Sequence, residues 1–144
     1  STLPTEQTKY MVERVYSMLE SGDLATLFRG CCCYQWALRI NRCRLPKASV
    51  TLAWLSFGGE RQTHAYLQLP DKRCVDVRGV FETESVLWKD WAKREIVCPN
   101  ETLTQAWLDE EISRRLPRHT NIAVQSAALK HFDSNDAFGC VRSG

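Results

Sequence analysis

An α+β fold, with one helix laid on a small antiparallel sheet and further helices at both ends of the chain, is predicted by three features of the sequence. An apolar stripe of helical period opens the chain, strand-like segments separated by turn residues fill the middle, and three more helical patterns follow. The 144 residues suit a single domain spanning 1–144.

Each element has a local reason. Residues 4–20 read as a helix: Pro4 lies near the first helical position, Glu6 suits the positive helix end, and Met11, Val15 and Leu19 recur at i, i+4 and i+8. Gly22 is a stop signal, and Asp23 is placed to cap a short helical turn through Leu24, Leu27 and Phe28 that Gly30 breaks. The next helix starts at the cysteines 31–33 and runs to about Cys43, with Cys33, Ala37 and Ile40 on its inward face and Pro46 beyond its end. Residues 49–57 are apolar on both alternating faces, which predicts a central strand. Gly58-Gly59 marks a turn. Residues 62–69 then alternate, with Thr63, Ala65, Leu67 and Leu69 on one face and Gln62, His64, Tyr66 and Gln68 on the other. Pro70-Asp71-Lys72 turns the chain into a strand over 73–77, with Cys74 and Asp76 on one face. Helical patterns follow over 84–95, 102–115 and 121–132, interrupted by Pro99 and Pro117, and the polar tail after Asp133 is expected to be loose.

Composition narrows the function classes. A net charge of +2, with the basic residues scattered, does not mark a nucleic-acid binder. No apolar run approaches the length of a membrane span. Seven cysteines cannot all pair within one chain, and three of them are adjacent, which suits a disulfide framework badly; reduced thiols and a cytoplasmic setting are expected. No cofactor is expected. No paired C-x-x-C zinc signature occurs, and three consecutive helical cysteines point in different directions, so Cys31, Cys32, Cys33 and His64 make a poor metal cage.

The chemistry of interest is a thiol, an imidazole and a carboxylate in that chain order. A helix N-terminus favours a thiolate through its unpaired N–H groups and its dipole. An imidazole beside the sulfur favours it further and then protonates a leaving amine. A carboxylate on the other ring nitrogen sets the tautomer. Cys33, His64 and Asp76 are the candidates for these catalytic roles, with Cys33 fitting the helix phase best and Cys32 and Cys31 as the other choices. The hairpin makes the arrangement testable. A three-residue loop pairing Leu69 with Arg73 puts Tyr66 opposite Asp76 and His64 diagonal to it on the same face, roughly 7–8 Å away by Cα. A two-residue loop sends the two side chains to opposite faces.

Cys33-Tyr34-Gln35-Trp36-Ala37 opening a helix, His64-Ala65-Tyr66-Leu67 on a strand and Asp76-Val77-Arg78-Gly79 after the next strand together resemble the core of papain-like and transglutaminase-like cysteine hydrolases, the NlpC-like enzymes included. The resemblance covers residues 30 to about 80. It implies acyl transfer through a thioester on an amide, by hydrolysis, deamidation or transamidation, with a protein or peptide as substrate and partner. It also implies a bacterial or phage setting, including delivery to a host or target cell. The papain-like pattern has a glutamine shortly before the nucleophile as oxyanion donor. No Gln, Asn or His lies between Gln7 and Cys31, so backbone amides at Cys33 and its neighbours are the expected donors. Trp36 and Tyr66 are the aromatics placed to line a cleft and bind substrate, although tryptophans most often serve a core. The competing reading is a catalytically degenerate member of the fold that binds or inhibits a protein, in which His64 is a hydrogen-bonding strand residue and Asp76 stabilises a turn.

Overall fold

The structure, a computed structural model, describes residues 5–57, 60–91, 95–102, 110 and 116–142. It is α+β: helices at both ends of the chain enclose an antiparallel five-stranded sheet. Helix α1 (Thr5–Ser21) stops at Gly22, whose φ of +77° is the left-handed conformation that glycine adopts without steric cost. The Asp23 side chain accepts the Thr26 N–H at 3.4 Å and caps α2 (Leu24–Arg29), which ends at Gly30. Helix α3 (Cys33–Cys43) follows after Cys32, its N-cap residue. Beyond its end, Asn41 Nδ2 donates to the carbonyls of Leu45 (2.9 Å) and Ala48 (2.8 Å), tying down the turn around Pro46 and delivering the chain into the sheet.

Strands β1 (Ser49–Phe57), β2 (Glu60–Gln68), β3 (Cys74–Asp76), β4 (Gly79–Phe81) and β5 (Glu95–Thr102) pair in the order β4-β3-β2-β1-β5. β1 is central, as its two apolar faces predict. The turn expected at Gly58-Gly59 lies outside the described residues. The β2–β3 hairpin has the three-residue loop Pro70-Asp71-Lys72: Leu69 N–H donates to the Arg73 carbonyl at 2.8 Å, and Lys72 takes a φ of +78° to close it. The resulting register, Leu67↔Val75 and Gln68↔Cys74, decides the two faces of the sheet. Val50, Leu52, Ala65, Leu67, Val75 and Val77 join one large core with α1, α2, α3 and the long C-terminal helix α5 (Arg118–Ser134). Ala53, Tyr66 and Cys74 form a smaller cluster on the other face with Leu87, Phe81 and Trp88.

Three expectations need correction after Phe81. Of the helix expected over 84–95, residues 84–91 form α4 (Glu84–Leu87), capped by Thr83, and a 3-10 turn (Trp88–Trp91), residues 92–94 lie outside the described residues, and residues 95–102 are strand. Pro99 reads as a helix breaker, but β5 is an edge strand, the one sheet position where a residue lacking an N–H is tolerated. The pairing of β5 with β1 is irregular around Trp54. Most of the helix expected over 102–115 lies outside the described residues, and Thr102 belongs to β5. The helix expected over 121–132 is longer, starting at Arg118 directly after Pro117, its non-helical N-cap residue. Of the tail after Asp133, residues 134–142 are folded. Asn135 caps a 3-10 turn (Asp136–Phe138) that leads into α6 (Gly139–Arg142). Phe138 is 0 % exposed and stacks on Phe132 at 4.7 Å, and Arg142 donates to the carbonyls of Phe132 and Asp133 at the C-terminal end of α5. A polar composition concealed two apolar anchors, Phe138 and Val141, which hold the segment down by burial. Among the described residues no helix is long and apolar enough to cross a membrane.

Candidate functional site

The first turn of α3 sits on the sheet by its own hydrogen bonds. Cys32 N–H donates back to the Leu27 carbonyl at 3.0 Å, and its carbonyl accepts Trp36 N–H at 3.2 Å, so Cys33 begins the helix in a fixed place. Tyr34 Oη and Thr63 Oγ1 hydrogen-bond across from helix to β2. His64 follows Thr63 on the strand, and Asp76 closes β3. Continuing the hairpin register by one residue faces Tyr66 with Asp76 and sets His64 diagonal to it, the placement the loop length predicted. The side chains meet: His64 Nε2 lies 3.0 Å from Asp76 Oδ2. With Nε2 committed to the carboxylate, Nδ1 is the ring nitrogen left for a second partner. The thiol of Cys33 acts on the imidazole both as a hydrogen-bonding group and as a charge. All three residues are buried, with 3 %, 1 % and 1 % of Cys33, His64 and Asp76 exposed.

Electrostatics follow from this burial and pairing. Burial by itself lowers the His64 pKa; the Asp76 hydrogen bond, then that of Cys33, and the charges of both outweigh it and raise the pKa to about 8. Burial by itself raises the Asp76 carboxyl; hydrogen bonds from His64 and then Arg78 reverse this and hold it below the ordinary carboxylate range.

Of the residues around the pair, sequence reasoning singled out Tyr66 but gave no site role to Arg78, Trp88 or Glu84. Arg78 N–H donates to Asp76 Oδ1 at 2.8 Å, and its guanidinium reaches Asp76 Oδ2 from Nη2 at 2.7 Å and both oxygens from Nε at 3.2 and 3.1 Å. The only local sign of this was Asp-x-Arg spacing before Gly79, whose φ of +138° belongs to glycine and lets the chain turn back beneath the carboxylate. Tyr66 lies nearly parallel to His64 with ring centroids 6.1 Å apart, and Trp88 meets the imidazole edge-on at 5.9 Å. Glu84 Oε1 accepts Tyr66 Oη at 3.2 Å and Gln68 Nε2 at 3.0 Å. Burial, with the Glu84 charge second, raises the Tyr66 phenol and pushes the Cys74 thiol up to about 12, so Cys74 is a protonated packing residue although it shares the face of Asp76.

The three adjacent cysteines separate by direction. Cys33 meets the imidazole. Cys32 Sγ turns to Cys31 Sγ at 3.8 Å, and Cys31 Sγ to the Leu27 carbonyl at 3.8 Å. The two aromatics expected at a cleft are both packed. Trp36 is 1 % exposed among His131, Phe132 and Phe138, on the core side of α3, and Tyr66 is 0 % exposed between His64, Trp88 and Glu84. Gln35, two residues past Cys33, is also turned away, donating to Asn121 Oδ1 on α5 at 3.3 Å. His131 is half-buried against Phe28, Trp36 and Phe138, and burial lowers its pKa. No group of three or more His, Cys, Asp or Glu side chains among the described residues is placed to hold a metal ion.

Comparison with protein-family models, with characterised proteins and with solved structures returns no match to the chain.

Proposed function

We propose that the chain is a cysteine-dependent amide hydrolase or acyl transferase that works through a thioester, with Cys33 as nucleophile, His64 as acid and base, and Asp76 as the orienting carboxylate. One observation carries this reading: a single buried imidazole engages a helix-terminal thiol and a carboxylate at once. A pKa of about 8 keeps the imidazole largely cationic at neutral pH, and an imidazolium favours the thiolate form of a neighbouring sulfur. The thiolate attacks the amide carbonyl carbon, and the C=O electron pair moves to oxygen. Backbone N–H groups at Cys33 and its neighbours, where α3 begins, are the proposed donors for that oxyanion. The imidazolium proton passes to the leaving nitrogen as the C–N bond breaks, leaving the thioester. Neutral His64 then takes a proton from water, or from an acceptor amine, as that nucleophile displaces the sulfur and regenerates the thiolate. Asp76 keeps the ring proton on Nε2 so that Nδ1 faces the sulfur throughout. The substrate is proposed to be a protein or peptide amide. A reducing, cytoplasmic site of action is proposed from the cysteine pattern of the sequence, seven in number with three adjacent, which suits a disulfide framework badly.

A second reading draws on the burial of the trio. With 1–3 % exposure, the three groups also suit a polar cluster that orders the core of a binding or inhibitory module. Thiol chemistry separates the two. Iodoacetamide at pH 6.5 is expected to label Cys33 faster than the exposed Cys43, and His64→Ala to abolish that advantage, with sites read by peptide mass spectrometry. Labelling of Cys33 no faster than Cys43 favours the binding reading.

A further inference from the structure

The structure assigns Arg78 as a positioning residue of the site: through a forked guanidinium and its own backbone N–H, it locks the Asp76 carboxylate in the orientation that receives His64 Nε2. The inference rests on the proposed triad for its catalytic meaning and on geometry alone for the assignment. Asp76 Oδ1 takes the Arg78 N–H at 2.8 Å and Nε at 3.2 Å; Oδ2 takes Nη2 at 2.7 Å, Nε at 3.1 Å and His64 Nε2 at 3.0 Å. The carboxylate therefore has no free rotation about its last bond, and both oxygens are spoken for. Arg78 is itself held. Nη2 also donates to the Leu87 carbonyl at 3.1 Å, at the end of α4, and the guanidinium lies over the Phe81 ring at 4.6 Å. Its side chain is 12 % exposed against 2 % for Asp76, so the pair is desolvated and a guanidinium there is not a solvated surface charge.

The chemical consequence concerns where the proton between Asp76 and His64 resides. A buried carboxylate facing only an imidazole competes for that proton; one already neutralised by a guanidinium does not, and the proton stays on Nε2. Of the other titratable groups in the neighbourhood, Cys74 on β3 faces the carboxylate, Cys33 on α3 faces His64, and Glu84 on α4 faces Cys74 and Tyr66. Cys74 is protonated, and Glu84 is engaged by Tyr66 and Gln68, which leaves Arg78 as the cation facing Asp76 besides His64 among the described residues.

The test follows the His64 ring protons by NMR from pH 2.5 to 10 in the wild type, Arg78→Lys and Arg78→Ala, with Cys33 alkylation rates across the same range. In Arg78→Ala the acid inflection, where Asp76 protonates and His64 loses its partner, is expected to move up by about one pH unit or more. Arg78→Lys retains charge without the fork and is expected to recover part of that shift but not the wild-type alkylation rate. An acid inflection unmoved in either variant, with only the melting temperature reduced, overturns the assignment and makes Arg78 a structural residue. If Arg78→Ala does not fold, Arg78→Lys decides alone, since a wild-type inflection and a wild-type alkylation rate there also overturn it. Wild-type Cys33 that does not alkylate faster than Cys43, with the acid inflection still moving in the variants, refutes the enzyme and leaves the assignment standing.

Discussion

The two faces of the sheet are built from the same strands and serve different ends. One carries Val50, Leu52, Ala65, Leu67, Val75 and Val77 into a broad apolar core with α3 and α5. The other carries His64, Tyr66 and Asp76, roofed by Leu87 and Trp88 from one short helical segment and braced by Arg78 and Glu84. The first face gains stability from area removed from water. The second buries charge, which is tolerable because both Asp76 oxygens, His64 Nε2, Arg78 Nε and Nη2 and Glu84 Oε1 have partners at 2.7–3.2 Å. A fold that confines its buried ions to one side of the sheet leaves the other free to supply the stability that the polar side cannot. Cys33 belongs to both: it packs in the main core and engages the imidazole on the far side of the strand alternation, from the helix terminus where α3 first meets the sheet.

That contrast is broken most forcefully at the sulfur. Cys33→Ala is expected to reduce amide cleavage or thioester formation by at least about 10³-fold while shifting the melting midpoint by only a few degrees, measured by turnover and calorimetry. The apolar face behaves in the reverse sense. Leu67→Ala removes a fully buried side chain from the main core and is expected to cost about 2–5 kcal/mol in urea unfolding, with the His64 titration little changed if the variant stays folded.

The pH dependence sharpens the comparison, because it belongs to the polar face alone. The folded His64 pKa of about 8 lies above its unfolded value of about 6.5, so its stabilisation is fully present below about pH 6.5 and disappears as pH rises through about 8. The difference of about 1.5 units corresponds to about 2 kcal/mol, expected as a fall in urea midpoint between pH 6 and pH 9 that His64→Gln flattens. The same titration removes the imidazolium, so activity is expected to decline over that window. The smallest effect is expected away from both faces. Arg44→Ala breaks the bidentate pair with Asp133, whose side chains are 36 % and 44 % exposed, and is expected to cost less than about 1 kcal/mol, falling further in salt.

Much of the site was legible because its geometry is local. A strand of clear alternation, a Pro-Asp-Lys loop and a second short strand are enough to put His64 and Asp76 on one face, since hairpin register follows loop length. The glycines at 22 and 30 and the Asp23 cap similarly delimited α1 and α2 from neighbouring residues alone. The segment after Phe81 was misread for the opposite reason. Leu87, Trp88 and Trp91 mimic helical spacing, and whether residues 95–102 form a strand depends on a vacant edge of β1, 39 to 51 residues earlier in the chain. The polar tail folds because Phe138 finds Phe132, a partner that composition does not display.

What the amino-acid order determined by itself is the α+β class, the thiol at a helix start, and the shared face of one imidazole and one carboxylate, all consequences of short-range periodicity and turn chemistry. What only the tertiary structure decided is which of three adjacent cysteines meets the ring, that Trp36 and Tyr66 are packed, and that Arg78 clamps the carboxylate. Those outcomes depend on how far α3 rotates on the sheet and where α4 ends over β3, and such distances are set by the packing of elements remote in sequence, where every side chain competes for the same space.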